Sequence, residues 1–174
     1  MIVFPNSKIN LGLRILRQRS DGHHDLETIF YPVALTDILE ITTYREYERT
    51  SAIPFTTSGL PIETEIINNL CTKAYKLLKK EFPELPHVQM HLHKVIPSGA
   101  GLGGGSADSA FTLKLLNEKF DLGLSELQLM NYAIQLGSDC AFFIIDKPCY
   151  ATGRGELLER IDLDLSPFKF IVVN

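Results

Sequence analysis

The strongest constraint in this sequence is a concentration of glycine. The stretch KVIPSGAGLGGGSADSA spans residues 94–110, and five of the seven residues from 99 to 105 are glycine. Glycine loses more backbone freedom on folding than any other residue, so such density costs stability unless a Cβ would obstruct something. An ordinary strand-to-helix turn needs one or two glycines; a backbone wrapped closely round a ligand needs more. Residues 87–95 alternate, with Val88, Met90 and Leu92 on one side and His87, Gln89, His91 and His93 on the other, which reads as a strand. A helical pattern runs from about 105 to 119. A glycine loop between a strand end and a helix start aims successive N–H groups and the positive helix end at one point. That is an anion site, most naturally for phosphate. A flexible hinge is the alternative.

Two familiar phosphate loops do not fit. Gly99, Gly101 and Gly104 satisfy GxGxxG, but the dinucleotide fold needs a second parallel strand after the helix, and two consecutive helices follow here. Gly105 stands where the lysine of GxxxxGK[ST] belongs, and there is no HRD loop of the protein-kinase kind.

Elsewhere the pattern predicts an α+β fold. In residues 8–18, Ile9, Leu11, Leu13 and Ile15 share one strand face. SDGHHD (20–25) makes a turn, and strands are expected at about 27–33, 38–45 and 51–57. Residues 64–82 carry a helical stripe with Glu63 and Glu65 at its start, Lys79 and Lys80 at its end, and Pro83 and Pro86 stopping it. Lys73, Lys76, Lys79 and Lys80 read as a solvated face, since no aromatic residues interleave. A third helix over 125–136 has Ser125 as N-cap, Gln128 three residues on and Gly137 as stop. CAFFII, a strand at CYATG and a strand from Phe168 complete the pattern. His91 and His93 could chelate a metal from one strand face, but an exposed polar face is the default, because carboxylate or thiolate ligands at a recognisable spacing are missing.

Charge and length limit the function classes. Seventeen Lys+Arg against 21 Asp+Glu give a net −4, which removes the electrostatic motive for non-specific nucleic-acid binding. No apolar run approaches the roughly 18 residues of a membrane span. MIVFPNSKINLG lacks the layout of a secretory signal, and three cysteines without CxxC fit a reducing cytoplasm. The expected partner is a small-molecule substrate, with neither nucleic acid nor membrane, on a monomer or homodimer.

At this point the sequence resembles the GHMP kinases, ATP-dependent small-molecule kinases with a loop of the form P-x-G-x-G-L-G-x-S-[SA]. Here that loop is Pro97, Ser98, Gly99, Ala100, Gly101, Leu102, Gly103, Gly104, Gly105, Ser106 and Ala107, with one extra glycine. Within the superfamily, five ordered motifs resemble the kinases of 4-diphosphocytidyl-2-C-methyl-D-erythritol in non-mevalonate isoprenoid synthesis. They are Pro5-Asn6-Ser7-Lys8-Ile9-Asn10-Leu11, Asp21-Gly22-His23-His24, the loop through Asp108, Leu136-Gly137-Ser138-Asp139 and Gly153-Arg154-Gly155-Glu156.

The resemblance implies a fold like the second domain of ribosomal protein S5, and phosphorylation of the substrate's 2-hydroxyl by ATP with Mg²⁺. It implies Asp139 as general base and Lys8 beside it to stabilise the transferring charge. On residues alone, a Gly-Ser-Asp sequence after a helix is more often a helix N-cap at Asp139, and a lone strand lysine such as Lys8 is usually just solvated. The resemblance further implies Asn10 as substrate-orienting and His23 and His24 as cytosine-recognising, with His23 standing where the family has Tyr. Asn69 and Lys94 would line the adenine site, while their plain readings are a polar helix position and a strand-end charge. Ser106 would contact phosphate or Mg²⁺, and Asp108 would lie at the phosphate loop or merely complement the helix dipole. After Asp139 the family continues Val-Pro, whereas this chain has Cys140-Ala141. Residues 1–160 are expected to be the nucleotide-binding and catalytic domain, and 161–174 the start of a C-terminal domain whose apolar strand edge, Phe168–Val173, offers a site for self-association. A homoserine or mevalonate kinase, a non-catalytic nucleotide-binding module and an RNA-binding protein of S5-like fold are the other readings.

Overall fold

A computed structural model describes residues 1–44, 53–62 and 65–173. Among the described residues eight strands run in chain order: β1 (Ile2–Val3), β2 (Asn6–Gln18), β3 (His24–Thr36), β4 (Ile38–Thr43), β5 (Phe55–Gly59), β6 (Val88–Lys94), β7 (Cys149–Thr152) and β8 (Leu157–Arg160). Four helices accompany them: α1 (Leu70–Glu81) between β5 and β6, then α2 (Gly104–Lys119), α3 (Glu126–Leu136) and α4 (Cys140–Ile145) between β6 and β7. The strands form two sheets of four, ordered β1-β4-β6-β5 and β2-β3-β7-β8. Every pairing is antiparallel except β5 with β6. The expected α+β fold is what the chain adopts.

Alternation places β4 and β6 firmly. Leu39 and Ile41 on β4 and Val88, Met90 and Leu92 on β6 are buried against α1 and α2, while their neighbours face out. Each such aliphatic side chain contributes about 1.5–3 kcal/mol by leaving water. Helix α2 is buried through Ala107, Ala110, Leu113, Leu115 and Leu116, and touches α1, α3 and α4. A central helix enclosed in this way has no polar stripe of its own.

Long β2 and β3 form a hairpin closed by the turn at 19–23, where the Arg19 N–H donates to His23 O at 2.8 Å. Register shifts between Leu11 and Leu13 and between Ile15 and Arg17 break the simple alternation, and Leu13 and Ile15 are exposed. Thus the apolar set expected on one face divides at Gly12.

The structure corrects the first helix. α1 begins at Leu70, not near 64, and is preceded by a 3₁₀ turn, Ile66–Asn68. Asn69 is its N-cap: the side-chain oxygen accepts from the Cys71 N–H at 2.9 Å. Glu65 therefore stands outside α1, and Glu63 lies outside the described residues, as do residues 45, 51, 52 and 64 of the expected segments. The α3 prediction holds in full, with a capping box between Ser125 and Gln128. CAFFII is helix α4, entirely buried.

The strand expected from Phe168 does not form. Residues 161–173 run without strand pairing; the Leu165 N–H donates to the Tyr31 hydroxyl at 3.1 Å and the Phe170 ring lies 5.8 Å from that of Tyr31. An apolar, β-prone segment becomes a strand only where another strand offers its N–H and C=O groups. Among the described residues no helix is long and apolar enough to cross a membrane.

Candidate active site

The glycine loop joins β6 to α2, as its flanking patterns require. Gly99, Gly101 and Gly103 take φ of +75°, +73° and +73°, a left-handed conformation that side chains with a Cβ rarely adopt. Alternation of left-handed with ordinary residues turns successive N–H groups inward, and α2 follows with Gly103 as N-cap and no side-chain cap. Its first N–H groups are left for a ligand. Two glycines are also fixed by contact. A Cβ on Gly103 would lie 2.7 Å from Phe143 Cζ and 3.1 Å from Lys8 Cγ; one on Gly104 would lie 2.8 Å from Ile96 Cγ2. Pro97 and Ala100 are half-buried along this path, and Leu102 is buried.

Lys8 is not a solvated strand lysine. It is 5% exposed, its N–H donates to Leu102 O at 2.9 Å, and its Nζ donates to Asn10 Oδ1 at 2.6 Å. The ammonium lies 3.5 Å from Asp139 Oδ2 and 4.8 Å from the centre of the Phe30 ring. Burial pushes the Lys8 ammonium below the ordinary lysine range, and the Asp139 carboxylate opposes that shift. Asn10 is oriented in turn by donating to Thr28 Oγ1 at 3.0 Å, from the neighbouring strand.

Asp139 is the N-cap residue of α4, but its side chain makes no capping hydrogen bond and is left for other partners. Its side chain is one-third exposed and faces Lys8. On its other side Gly155, at φ +105°, would bring a Cβ to 3.4 Å from Asp139 Oδ1 and 3.4 Å from Phe30 Cζ. A lysine from β2, a carboxylate from before α4 and the loop before α2 thus converge, and the carboxylate stays open to solvent. Such a set can accept a hydroxyl proton and offset phosphoryl charge. Ser106, in the first turn of α2, has its Oγ 4.0 Å from where a Gly137 Cβ would stand, on the side of the loop that leads to Asp139.

Asn69, Lys94, Gly105 and Asp108 line one small open cavity of about 120 Å³ with Ile62, Asn68, Leu70 and Ser98. Lys94 is not a simple strand-end charge: its buried Nζ bonds Asp37 Oδ2, and Asp108 Oδ2 at 2.8 Å. Asp108 does more than complement a dipole, since it is 2% exposed and its Oδ1 has no protein partner. Burial pushes the Asp108 carboxyl up to about 7, with Lys94 pulling down and Asp37 pushing further up. Burial also opposes the Lys94 charge, but the two carboxylates outweigh it and raise that ammonium. One ammonium between two buried carboxylates leaves an excess negative charge, and Asp108 carries its cost. Asp37, wholly buried, escaped the sequence reading because a single Asp between two strands has no local pattern.

His23 and His24 are brought to neither place. Both are exposed at the tip of the β2–β3 hairpin, where His23 N–H donates to Asp21 Oδ1 at 3.0 Å. Phe30 lies six residues along β3 from His24, about 20 Å of extended chain. His91 and His93 lie on the outer sheet face. Thr56 and Ser58 hydroxyls occupy both ring nitrogens of His91 at 2.8 and 2.9 Å, and Ser58 also bonds His93. Among the described residues no group of three or more His, Cys, Asp or Glu could hold a metal ion.

Comparison with known proteins agrees with this geometry. Residues 69–147 match the GHMP kinases N terminal domain. The chain is 53% identical, over its whole length, to the 4-diphosphocytidyl-2-C-methyl-D-erythritol kinase of Bacteroides fragilis, and spans 62% of that protein. A crystal structure of 4-(cytidine 5'-diphospho)-2C-methyl-D-erythritol kinase superposes with a TM-score of 0.77 at 32% identity, over 94% of this chain and 56% of the other. The Methanococcus jannaschii mevalonate kinase, at 16% identity and a TM-score of 0.68 over 93% of this chain and 56% of its own, shares the fold alone. The loop, the helices around it and these likenesses together make the chain similar to the GHMP kinases, whose N-terminal domain residues 69–147 match.

Proposed function

We propose that this chain provides the nucleotide-binding and catalytic part of a kinase transferring the γ-phosphoryl group of ATP to the 2-hydroxyl of 4-diphosphocytidyl-2-C-methyl-D-erythritol. The observation that carries the reading is the Lys8–Asp139 pair at 3.5 Å, joined to the glycine loop through the Lys8 N–H bond to Leu102 O. Phosphoryl transfer asks little covalent chemistry of a protein; it needs an aligned hydroxyl and compensation of moving charge. Asp139 accepts the hydroxyl proton, Lys8 faces the transferring group, and Asn10 orients the substrate. The adenine lies in the cavity of Asn69 and Lys94, and the phosphates lie on the N–H groups of residues 99–106.

Mg²⁺ suits a site of this composition. That ion is held mainly by phosphate oxygens and water with one or two protein ligands, so the Ser106 hydroxyl suffices on the protein side. Bound there, it would neutralise phosphate charge. His24, with His23 as a stacking surface in place of Tyr, reads the cytosine. A hairpin tip far from Asp139 fits a long substrate whose base and reacting hydroxyl lie at opposite ends. Residues 161–174 lead towards a C-terminal domain, and three buried thiols (Cys71, Cys140 and Cys149) suit a reducing cytoplasm.

The test is ADP release by the 174-residue chain with ATP, Mg²⁺ and the cytidylyl substrate, with mevalonate and homoserine as controls. Turnover with the cytidylyl substrate alone is expected. Turnover with either control instead would reassign the substrate, and ATP binding without turnover on any of the three would leave a nucleotide-binding module.

A further inference from the structure

We propose that Asp37 is the positioning residue of the phosphate loop, holding its start directly and its far end through Lys94; this rests on the nucleotide reading above. Asp37 is a single residue between β3 and β4, wholly buried. Its own N–H donates to Pro5 O at 2.8 Å, three residues before Lys8. Its Oδ1 accepts from the Val95 N–H at 2.6 Å and the Ile96 N–H at 2.9 Å, the two residues by which the chain leaves β6 for the glycines. Its Oδ2 accepts from Lys94 Nζ, and the same ammonium donates to Asp108 Oδ2 at 2.8 Å, one turn into α2.

One buried carboxylate therefore fixes where the loop begins, and its ammonium partner fixes where the loop ends. Residues 97–103, with their left-handed glycines, span two points held by a single charge node. A buried carboxylate is disfavoured unless hydrogen-bonded and paired, and this one is satisfied on both oxygens. An apolar residue at 37 would fill the space but leave the Val95 and Ile96 N–H groups without acceptors. Gly104 belongs to the same design, because a Cβ there would lie 3.2 Å from Lys94 Nζ.

A residue that merely supports the fold would weaken every ligand alike; one that aims the loop weakens phosphate recognition selectively. Calorimetry of ATP and of adenosine, each with Mg²⁺, on the 174-residue chain separates these. Asp37→Asn keeps an acceptor for the two N–H groups and loses the charge on Lys94. Its ATP affinity is expected to fall about tenfold or more, as small displacements of a binding group do, with adenosine affinity, whose cavity Lys94 also lines, falling by a clearly smaller factor. An equal loss for both ligands, or no loss for either, overturns the proposal. Hydrogen exchange on the unaltered chain needs no variant. The amides of Val95 and Ile96 should be protected without nucleotide and those of Gly99 and Gly101 only with ATP; equal exchange at all four in the free chain refutes the anchor. If the unaltered chain binds no ATP, the kinase reading itself falls and this inference with it. If it binds ATP and Asp37→Asn binds it identically, only the inference falls.

Discussion

Gly103→Ala isolates what the contact between the phosphate loop and Lys8 is worth. A methyl group there meets Phe143 Cζ at 2.7 Å, Phe143 Cε2 at 3.0 Å and Lys8 Cγ at 3.1 Å, where carbon atoms prefer about 3.5–4.0 Å. Neither neighbour can give way. Phe143 is fully buried with its ring 5.1 Å from Phe142, and Lys8 is held by Asn10 and Asp139. Overpacking of this kind costs about 1–3 kcal/mol, and holding an L-residue at φ +73° adds about 1–2 kcal/mol. Gly99→Ala is the control: its φ is +75° but a Cβ there meets nothing within 4 Å. It carries the backbone cost of about 1–2 kcal/mol alone, and the entropy that alanine removes from the unfolded chain is common to both. The difference, about 1–3 kcal/mol, corresponds to a Tm about 2–12 °C lower for Gly103→Ala than for Gly99→Ala. Urea unfolding of both variants checks it, with equal m-values confirming a common unfolded reference. Equal midpoints would show that the loop and Lys8 are not in contact as described, and the argument for a coupled site would fail.

Three further outcomes follow from the same geometry. Asp139→Asn keeps size and leaves the fold and ATP binding intact, but turnover should fall by about 10²–10⁴, the range for a lost general base; an active variant in the ADP-release assay removes Asp139 from that role. His24→Ala should raise KM for the cytidylyl substrate and leave KM for ATP alone, and equal rises reject the base-reading role. The folded state holds a proton on Asp108 up to about 7, whereas the unfolded chain releases it near 3.8. Between those values the folded state binds more protons, so Asp108 makes stability fall as pH rises. Asp108→Asn removes that fall, and urea midpoints taken from pH 4.5 to 7.5 should move in the variant's favour; parallel curves would show that Asp108 is ionised throughout.

The legible parts of this chain were those whose cause is local. Ser125 and Gln128 form a capping box within four residues, and α3 starts where they say. The glycines between 99 and 105 announce a loop that only left-handed backbone and close contact explain. What failed depended on distant partners. The apolar stripe of 64–82 ran past the true start of α1, because Asn69 caps it by a contact that periodicity does not register. Phe168–Val173 has strand composition and no strand to pair with. Lys94 and Asp108 were expected at the nucleotide site, but the carboxylate that organises them, Asp37, lies 57 residues before Lys94. No spacing rule links them; only the fold does.

Lys8 and Asn10 lie on one strand, β2, which meets the glycine loop at Lys8. Lys8 gives its backbone N–H to Leu102, its stem to the space Gly103 leaves and its ammonium to Asn10 and Asp139. The glycine loop and the Asp139 carboxylate are therefore tied to the same residue, and a shift of either is felt by the other. The Phe30 ring lies 4.8 Å from the ammonium and the Gly155 turn lies beside the carboxylate, so the ammonium is buried while the carboxylate stays partly open. In such a place charges interact more strongly than in bulk water. Burial works against the Lys8 charge, which is why the site supplies an acceptor at 2.6 Å, a carboxylate and a ring face together. Remove Asn10 or Phe30 and the ammonium loses part of what keeps it charged, so the upper pH limit of turnover should be set by Lys8 and should move down when either support is lost.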